Sequence, residues 1–199
     1  MSDLRFLRGN DGHGHALRLQ VFLREAAAVL RAELPEGLRG GEALRLRLTA
    51  TLALRMLCGS SSPFFARLYA DGLLNTDFDY EVDAAADTLT VIVGGESRDP
   101  EAVLALFREA CARAAKEGFE SAYFERAKRA SLGARLRGLE DFDNVCVSLA
   151  SGVFDGFCAL DAFGLLESVG AEDCRCFVEA YLKPERMAMS VITPGKAKG

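Results

Sequence analysis

The chain has 199 residues, half of them hydrophobic, and a formal net charge of -5 at pH 7. This length suits one substantial buried core, and we predict a single domain. The two signs of charge are interspersed, so no basic surface is available for nucleic acid or for an anionic membrane. No apolar run approaches the roughly 20 residues that a bilayer-spanning helix requires.

The N-terminal part divides into a polar, glycine-rich stretch and an apolar run. Residues 1–15 form the first, and Leu17–Leu34 forms the second, which ends at Pro35. The part of this run from about residue 27 onward fits a strand or a helix, and we place a strand there. Next, the run Ala43–Leu57 is apolar on most sides, which predicts a helix enclosed by other elements and ended by Gly59.

A second helix and a hairpin follow. Three serines offer capping hydroxyls before Pro63, and Phe64, Leu68 and Leu73 recur at helical spacing. The sequence then alternates between aromatic or aliphatic residues and acids over 77–83, and a second alternating run covers LTVIVGG. Together these runs predict an antiparallel hairpin with its acids facing outward.

The remaining chain is mostly helical and closes with a strand. Asp99 before Pro100 is a strong helix start, and the apolar spacing continues to Gly118. The apolar periodicity predicts further helices over 121–137, 142–157, 161–169 and 172–182, followed by a strand over Arg186–Thr193. Strands separated by runs of helices predict an α+β fold, an antiparallel sheet backed by helices.

The order and spacing of several short segments carry a resemblance to a known family. These segments are Pro35-Glu36-Gly37-Leu38, Cys58-Gly59-Ser60-Ser61-Ser62, Arg67-Leu68-Tyr69-Ala70-Asp71-Gly72-Leu73-Leu74, Gly94-Gly95 before Asp99-Pro100, Phe124-Glu125-Arg126-Ala127-Lys128 and Pro184-Glu185-Arg186-Met187. In this order they resemble the insulinase (pitrilysin) family of zinc metallopeptidases, and specifically its second, non-catalytic type of half-domain. The resemblance covers residues 26–194 and leaves 1–25 as an atypical N-terminal segment and 195–199 as a tail.

The resemblance implies a zinc site that this chain does not encode. Members of the family hold zinc with an inverted H-x-x-E-H helix and a distant glutamate. The histidines here are His13 and His15, two residues apart with no glutamate between them, so they cannot share one helical face. We therefore predict no catalytic residues, no metal site and no cofactor, and we expect no peptidase activity from the chain alone.

The resemblance also implies an arginine and a tyrosine, seven residues apart, that reach the substrate carbonyl in active pairs of halves. Counted from Gly72, those two positions hold Leu68 and Asn75 in this sequence. Arg67 and Tyr69 lie near the first position but out of register. Arg67, Tyr69 and Asn75 are thus the candidate substrate-facing residues.

Other reactive-looking residues have structural interpretations. Six cysteines lie mostly in apolar helical patterns, where a free thiol packs as a small hydrophobe, and this favours a cytoplasmic protein. Cys174 and Cys176 should face apart on a helix, and the serines before Pro63 lack a nucleophile context. The basic residues between Arg126 and Arg137 spread around their helix as a solvated surface.

The resemblance thus implies a non-catalytic half-domain that forms a peptide-binding chamber with a zinc-bearing half, carried by another chain or by a missing upstream segment. Self-association is the other expected partnership. Pairing of an extended peptide with an exposed sheet edge would hold the substrate. The alternative is a stand-alone interaction or assembly module that retains the fold without any link to proteolysis. Because a long stretch normally precedes the first strand in the family, a truncated product or a fragment is one interpretation of this chain.

Overall fold

The computed structural model describes residues 16–22, 39–74, 78–85 and 88–192. These residues form an antiparallel four-stranded sheet backed by helices, which confirms the predicted α+β class. The strands are β1 (Ala16–Phe22), β2 (Asp79–Ala85), β3 (Thr88–Glu96) and β4 (Met187–Ile192). The helices are α1 (Gly40–Cys58), α2 (Pro63–Ala70), α3 (Pro100–Glu117), α4 (Ser121–Gly138), α5 (Phe142–Asp155), α6 (Asp161–Ser168) and α7 (Ala171–Tyr181).

The sheet has the strand order β2-β3-β1-β4. In the two pairings of β1, Leu17 lies opposite Gly95 of β3 on one side and Val191 of β4 on the other. β1 is therefore a central strand, although it falls within the segment 1–25 that the sequence separates from the half-domain. The strand predicted over 27–34 lies outside the described residues, and the boundary at residue 26 stays a prediction.

The predicted hairpin is confirmed, and its two faces differ as expected. Leu89, Val91 and Val93 of β3 are buried in the core, because alternate residues of a strand point to the same face. On β2, Asp79 and Glu81 are exposed. Asp77 and the side chain of Asp83 lie outside the described residues. Within the described sheet, β2 and β4 are the two edges.

Helix α1 is the centre of the core, as its nearly all-round apolar sequence predicts. Leu44, Leu48 and Leu52 are each at most 1% exposed. The helix contacts β2 and the helices α2, α3, α4, α6 and α7. Even a polar residue of α1 is buried: Thr49 is 5% exposed, and its hydroxyl donates to the backbone oxygen of Arg45 in the same helix.

Helix α2 begins as the serine and proline pattern predicts. Ser62 is the N-cap, and its hydroxyl accepts a hydrogen bond from the backbone N–H of Phe65 at 3.0 Å. Pro63 occupies the first turn, where its missing N–H has no cost. Of the predicted apolar residues, Phe64 and Leu68 are buried and Leu73 packs against the core.

We expect Ser62→Ala to lower the free energy of unfolding by about 0.5–2 kcal/mol, because an orphan N–H of the first turn loses its acceptor. Ser61→Ala is the matched control, since Ser61 is exposed and does not cap the helix. Urea denaturation of both variants measures the difference. Equal midpoints for the two variants would contradict the assigned cap.

Gly95 fixes how the start of β2 packs on β3. A Cβ at this position would lie 2.9 Å from both Cα and Cδ2 of Phe78, closer than carbon atoms pack. Only glycine at this position therefore allows Phe78 to lie so close to the backbone of β3. The Phe78 ring also contacts the rings of Phe64 and Phe65. The residue just before β2 therefore packs on α2.

Helix α5 is present as predicted, but its apolar side chains do not join the core. Phe142, Val153 and Phe154 are 78%, 79% and 88% exposed. Val147 and Leu149 are exposed as well. This helix therefore presents an apolar surface, Phe142, Val147, Leu149, Val153 and Phe154, that is unusual for a helix of this composition.

Candidate functional site

The segment that carries the family resemblance forms α2 and the turn after it. Arg67 is exposed and lies 3.8 Å from Asp71 and 3.6 Å from Glu109, which are ordinary surface ion pairs. Tyr69 is 59% exposed, and its ring stacks on Phe65 at a centroid distance of 6.4 Å. Both candidate residues are thus solvent-accessible.

Leu68, at the position where the resemblance implies an arginine, is in the core. Leu68 is 0% exposed, and its backbone oxygen accepts a hydrogen bond from Leu73 at 2.9 Å as the helix ends. Asn75, at the family's tyrosine position, lies outside the described residues. Of these two positions the structure describes only that of Leu68, whose side chain is apolar and buried.

Metal ligands do not converge in the described part of the chain. Within those ranges there is no group of three or more histidine, cysteine, aspartate or glutamate side chains placed to hold a metal ion. His13 and His15 lie outside the described residues. Among the described helices, none has both the length and the apolar content that spanning a bilayer requires.

A polar pocket of about 450 Å³ lies beside the start of β2, between the end of α1 and α4. We call it the α1–α4 pocket. Its titratable lining includes two arginines, two tyrosines and an aspartate, namely Arg55, Arg126, Tyr80, Tyr123 and Asp79. The sequence did not single out this set, because its members come from three elements that only the fold brings together.

Two contacts hold the aromatic wall of the α1–α4 pocket. The Tyr123 hydroxyl donates to the backbone oxygen of Met56 at 3.2 Å, and the Arg126 guanidinium lies 5.6 Å from the centroid of the Tyr123 ring. On the α1 side, Nη1 of Arg55 lies 3.4 Å from the Ser131 hydroxyl oxygen, a long hydrogen bond.

The electrostatics of the α1–α4 pocket favour neutral tyrosines beside charged arginines. Burial raises the pKa of Tyr80, an effect that nearby Arg55 opposes. Burial also raises the pKa of Tyr123, which Arg126 and Arg55 counteract. Since tyrosine normally titrates near pH 10, both hydroxyls stay protonated at neutral pH, and that of Tyr123 donates to Met56.

The cysteines divide into two groups by burial. Cys58, Cys111 and Cys174 are buried, and burial raises the pKa of Cys111 and of Cys174 to about 12. Such thiols are inert packing groups because the reactive thiolate is suppressed. Cys176 is exposed, so Cys174 and Cys176 do face apart as predicted.

Lys128, one of the basic residues that the sequence assigns to the solvated surface of α4, also makes structural hydrogen bonds. The Lys128 ammonium donates to the backbone oxygens of Glu167 at 2.6 Å and Val169 at 2.8 Å. It therefore satisfies carbonyls at the C-terminal end of α6, where a cation is favourable. Arg129 is exposed, in keeping with a solvated surface.

Comparisons with known proteins agree with the resemblance found in the sequence. No protein-family model matches the chain. The chain is 22% identical over 155 residues to the uncharacterized zinc protease YmfH of Bacillus subtilis (strain 168), a match that covers 78% of this chain and 36% of that protein. The chain thus spans about a third of the length of the curated relative it matches.

Solved structures share the fold. An M16-like peptidase from Alicyclobacillus acidocaldarius matches with a TM-score of 0.81 and 19% identity, over 92% of this chain and 42% of that one. The inactive peptidase domain of a proposed zinc protease from Bordetella parapertussis matches with a TM-score of 0.69 and 16% identity, over 97% and 99% of the two chains. These matches confirm the predicted resemblance to the insulinase family and its inactive domains.

Proposed function

We propose that this chain is a non-catalytic half-domain of an insulinase-family assembly, which forms one wall of a peptide-binding chamber opposite a zinc-bearing half. The observation that carries the proposal is the match to an inactive peptidase domain over nearly the full length of both chains. In this role the chain holds peptide, and the partner supplies the metal and the general base.

The side chains of the described site support a holding role. Leu68 fills the position of the family's arginine and is buried, so that position offers no donor to a substrate carbonyl. The edge strand β2 has free backbone groups along one side in the described sheet, and an extended peptide can pair there without strict sequence demands. Arg67 and Tyr69 are exposed on α2 and are the proposed substrate-facing side chains, together with Asn75.

The exposed apolar surface of α5 supports assembly with a partner. Exposed apolar side chains on a domain surface often mark a protein interface, and Phe142, Val153 and Phe154 are each more than three-quarters exposed. A stand-alone assembly module on the same fold would use this surface for self-association. The identity of the bound protein distinguishes these two functions.

We expect the purified chain to cleave no peptide in a quenched-fluorescence peptide library, with or without added zinc. Affinity purification of the full chain from its native cells should recover a protein that contains an H-x-x-E-H motif, and the recovered complex should show chelator-sensitive cleavage. Recovery of a homodimer without such a protein would instead favour the assembly module. Chelator-sensitive cleavage by the chain alone would refute the proposal.

A further inference from the structure

We propose that the α1–α4 pocket binds a carboxylate of the held peptide, so that the domain selects extended peptides with a suitably placed acidic group. This inference rests on the proposed peptide-holding function and adds a substrate class to it. The α1–α4 pocket is lined by two arginines and two tyrosines beside the first residues of an edge strand. Arg55 lies between this pocket and a neighbouring one, which Ser131 lines.

The arginines of the α1–α4 pocket have no carboxylate partner among the described residues. Arg55 has a long hydrogen bond to the Ser131 hydroxyl, and Arg126 lies over the Tyr123 ring. Neither contact neutralises a charge. Arginine presents a planar set of N–H donors that matches a carboxylate, and such charge-assisted hydrogen bonds are about twice as strong as neutral ones.

Asp79 is the one acid that lines the α1–α4 pocket within the described ranges. Its Oδ1 accepts a hydrogen bond from the backbone N–H of Tyr80 at 2.7 Å, so part of its acceptor capacity is used locally. The lining therefore keeps a net positive charge, in a protein whose overall charge is -5. A carboxylate is therefore favoured in this pocket.

The position of the α1–α4 pocket links it to the strand edge. Phe78, Asp79 and Tyr80 line it, and the latter two begin β2. A peptide paired with the free side of β2 would extend past this point. Because strand side chains alternate in direction, every second residue of the peptide faces the same side, and one of them can enter the pocket.

Two amidated heptapeptides test this inference, Thr-Val-Thr-Glu-Thr-Val-Thr and its glutamine counterpart, each with an uncharged fluorescent label at the N-terminus. Fluorescence anisotropy with the full chain should show that the glutamate peptide binds about tenfold more tightly or better, as expected for a charge-assisted hydrogen bond. High salt should reduce this preference. Equal binding of both peptides would overturn the carboxylate pocket and leave peptide holding intact.

Substitution of the two pocket arginines tests whether the preference for the glutamate peptide arises in the α1–α4 pocket. Arg126→Gln changes an exposed side chain and should fold normally, and both it and Arg55→Gln should remove most of the glutamate preference while glutamine-peptide binding persists. Arg129→Gln is the matched control, since it removes the same charge from the exposed surface of α4 outside the pocket. A preference that survives in the Arg55 and Arg126 variants would overturn the assignment to this pocket. Failure of both peptides to bind the unmodified chain would overturn peptide holding together with this inference.

Discussion

Leu68→Arg, which introduces the residue type that the resemblance implies for active pairs at this position, should largely unfold the domain. Leu68 is 0% exposed, so the new guanidinium would be buried among apolar side chains with no carboxylate partner. We expect a loss of more than about 4 kcal/mol in the free energy of unfolding. A domain of ordinary stability has about 5–15 kcal/mol in total, so the variant should show a lowered or absent cooperative transition in urea.

Tyr69→Arg is the control for Leu68→Arg, because it introduces the same side chain at the next position. Tyr69 is 59% exposed and its packing is limited to the stack on Phe65, so the loss should be about 1 kcal/mol. Far-UV circular dichroism during urea titration measures the free energy of unfolding of both variants. Normal folding of Leu68→Arg would mean that this position can turn outward and would contradict the assignment of Leu68 to the core.

The elements that could be predicted are those with a strong local signal. Asp99 followed by Pro100 marks the start of α3, and the Asp99 carboxylate accepts from the N–H of Ala102 at 3.1 Å. The hairpin follows from alternation, and the buried course of α1 follows from its nearly continuous apolar sequence. In each of these cases, the residues that determine the structure are neighbours along the chain.

Features that depend on distant contacts could not be predicted in the same way. Leu17, Leu19 and Val21 alternate with Arg18 and Gln20, which is a strand signal, but β1 forms the first part of the longer apolar run Leu17–Leu34, in which the alternation does not continue. The helical periodicity predicts which side of α5 is apolar, but it does not indicate whether other elements of the fold cover that side. The pattern identifies a surface, and only the fold shows that it is exposed.

The α1–α4 pocket illustrates the same limit for the candidate site. Arg126 belongs to the basic run that the sequence assigns to a solvated surface, and Arg55 is a charged residue near the end of an enclosed helix. A charge on an enclosed helix is a usable signal, because it must face a gap or a partner. Its partner groups on α4 and β2 lie more than 20 residues away in sequence, so their convergence required the structure.

Phe107→Ala should cost about 3–5 kcal/mol in the free energy of unfolding, because it leaves a cavity where the surrounding side chains can only partly relax. Phe107 is 0% exposed on α3, and its ring meets Phe64 edge to face at 5.8 Å. The cavity would therefore loosen the contact between α3 and α2, the helix that bears Arg67 and Tyr69. Urea denaturation at equilibrium measures this loss.

Phe154→Ala is the matched control for Phe107→Ala, since the same atoms are removed from a ring that is 88% exposed on α5. Its effect on the isolated chain should stay within about 0.5 kcal/mol. In the proposed assembly Phe154→Ala should have a clear effect, because Phe154 belongs to the apolar surface of α5. We expect this variant to recover less of the partner protein although its folding is unchanged. A loss above about 2 kcal/mol for Phe154→Ala in the isolated chain would show that this surface is covered by the chain itself and is not available to a partner.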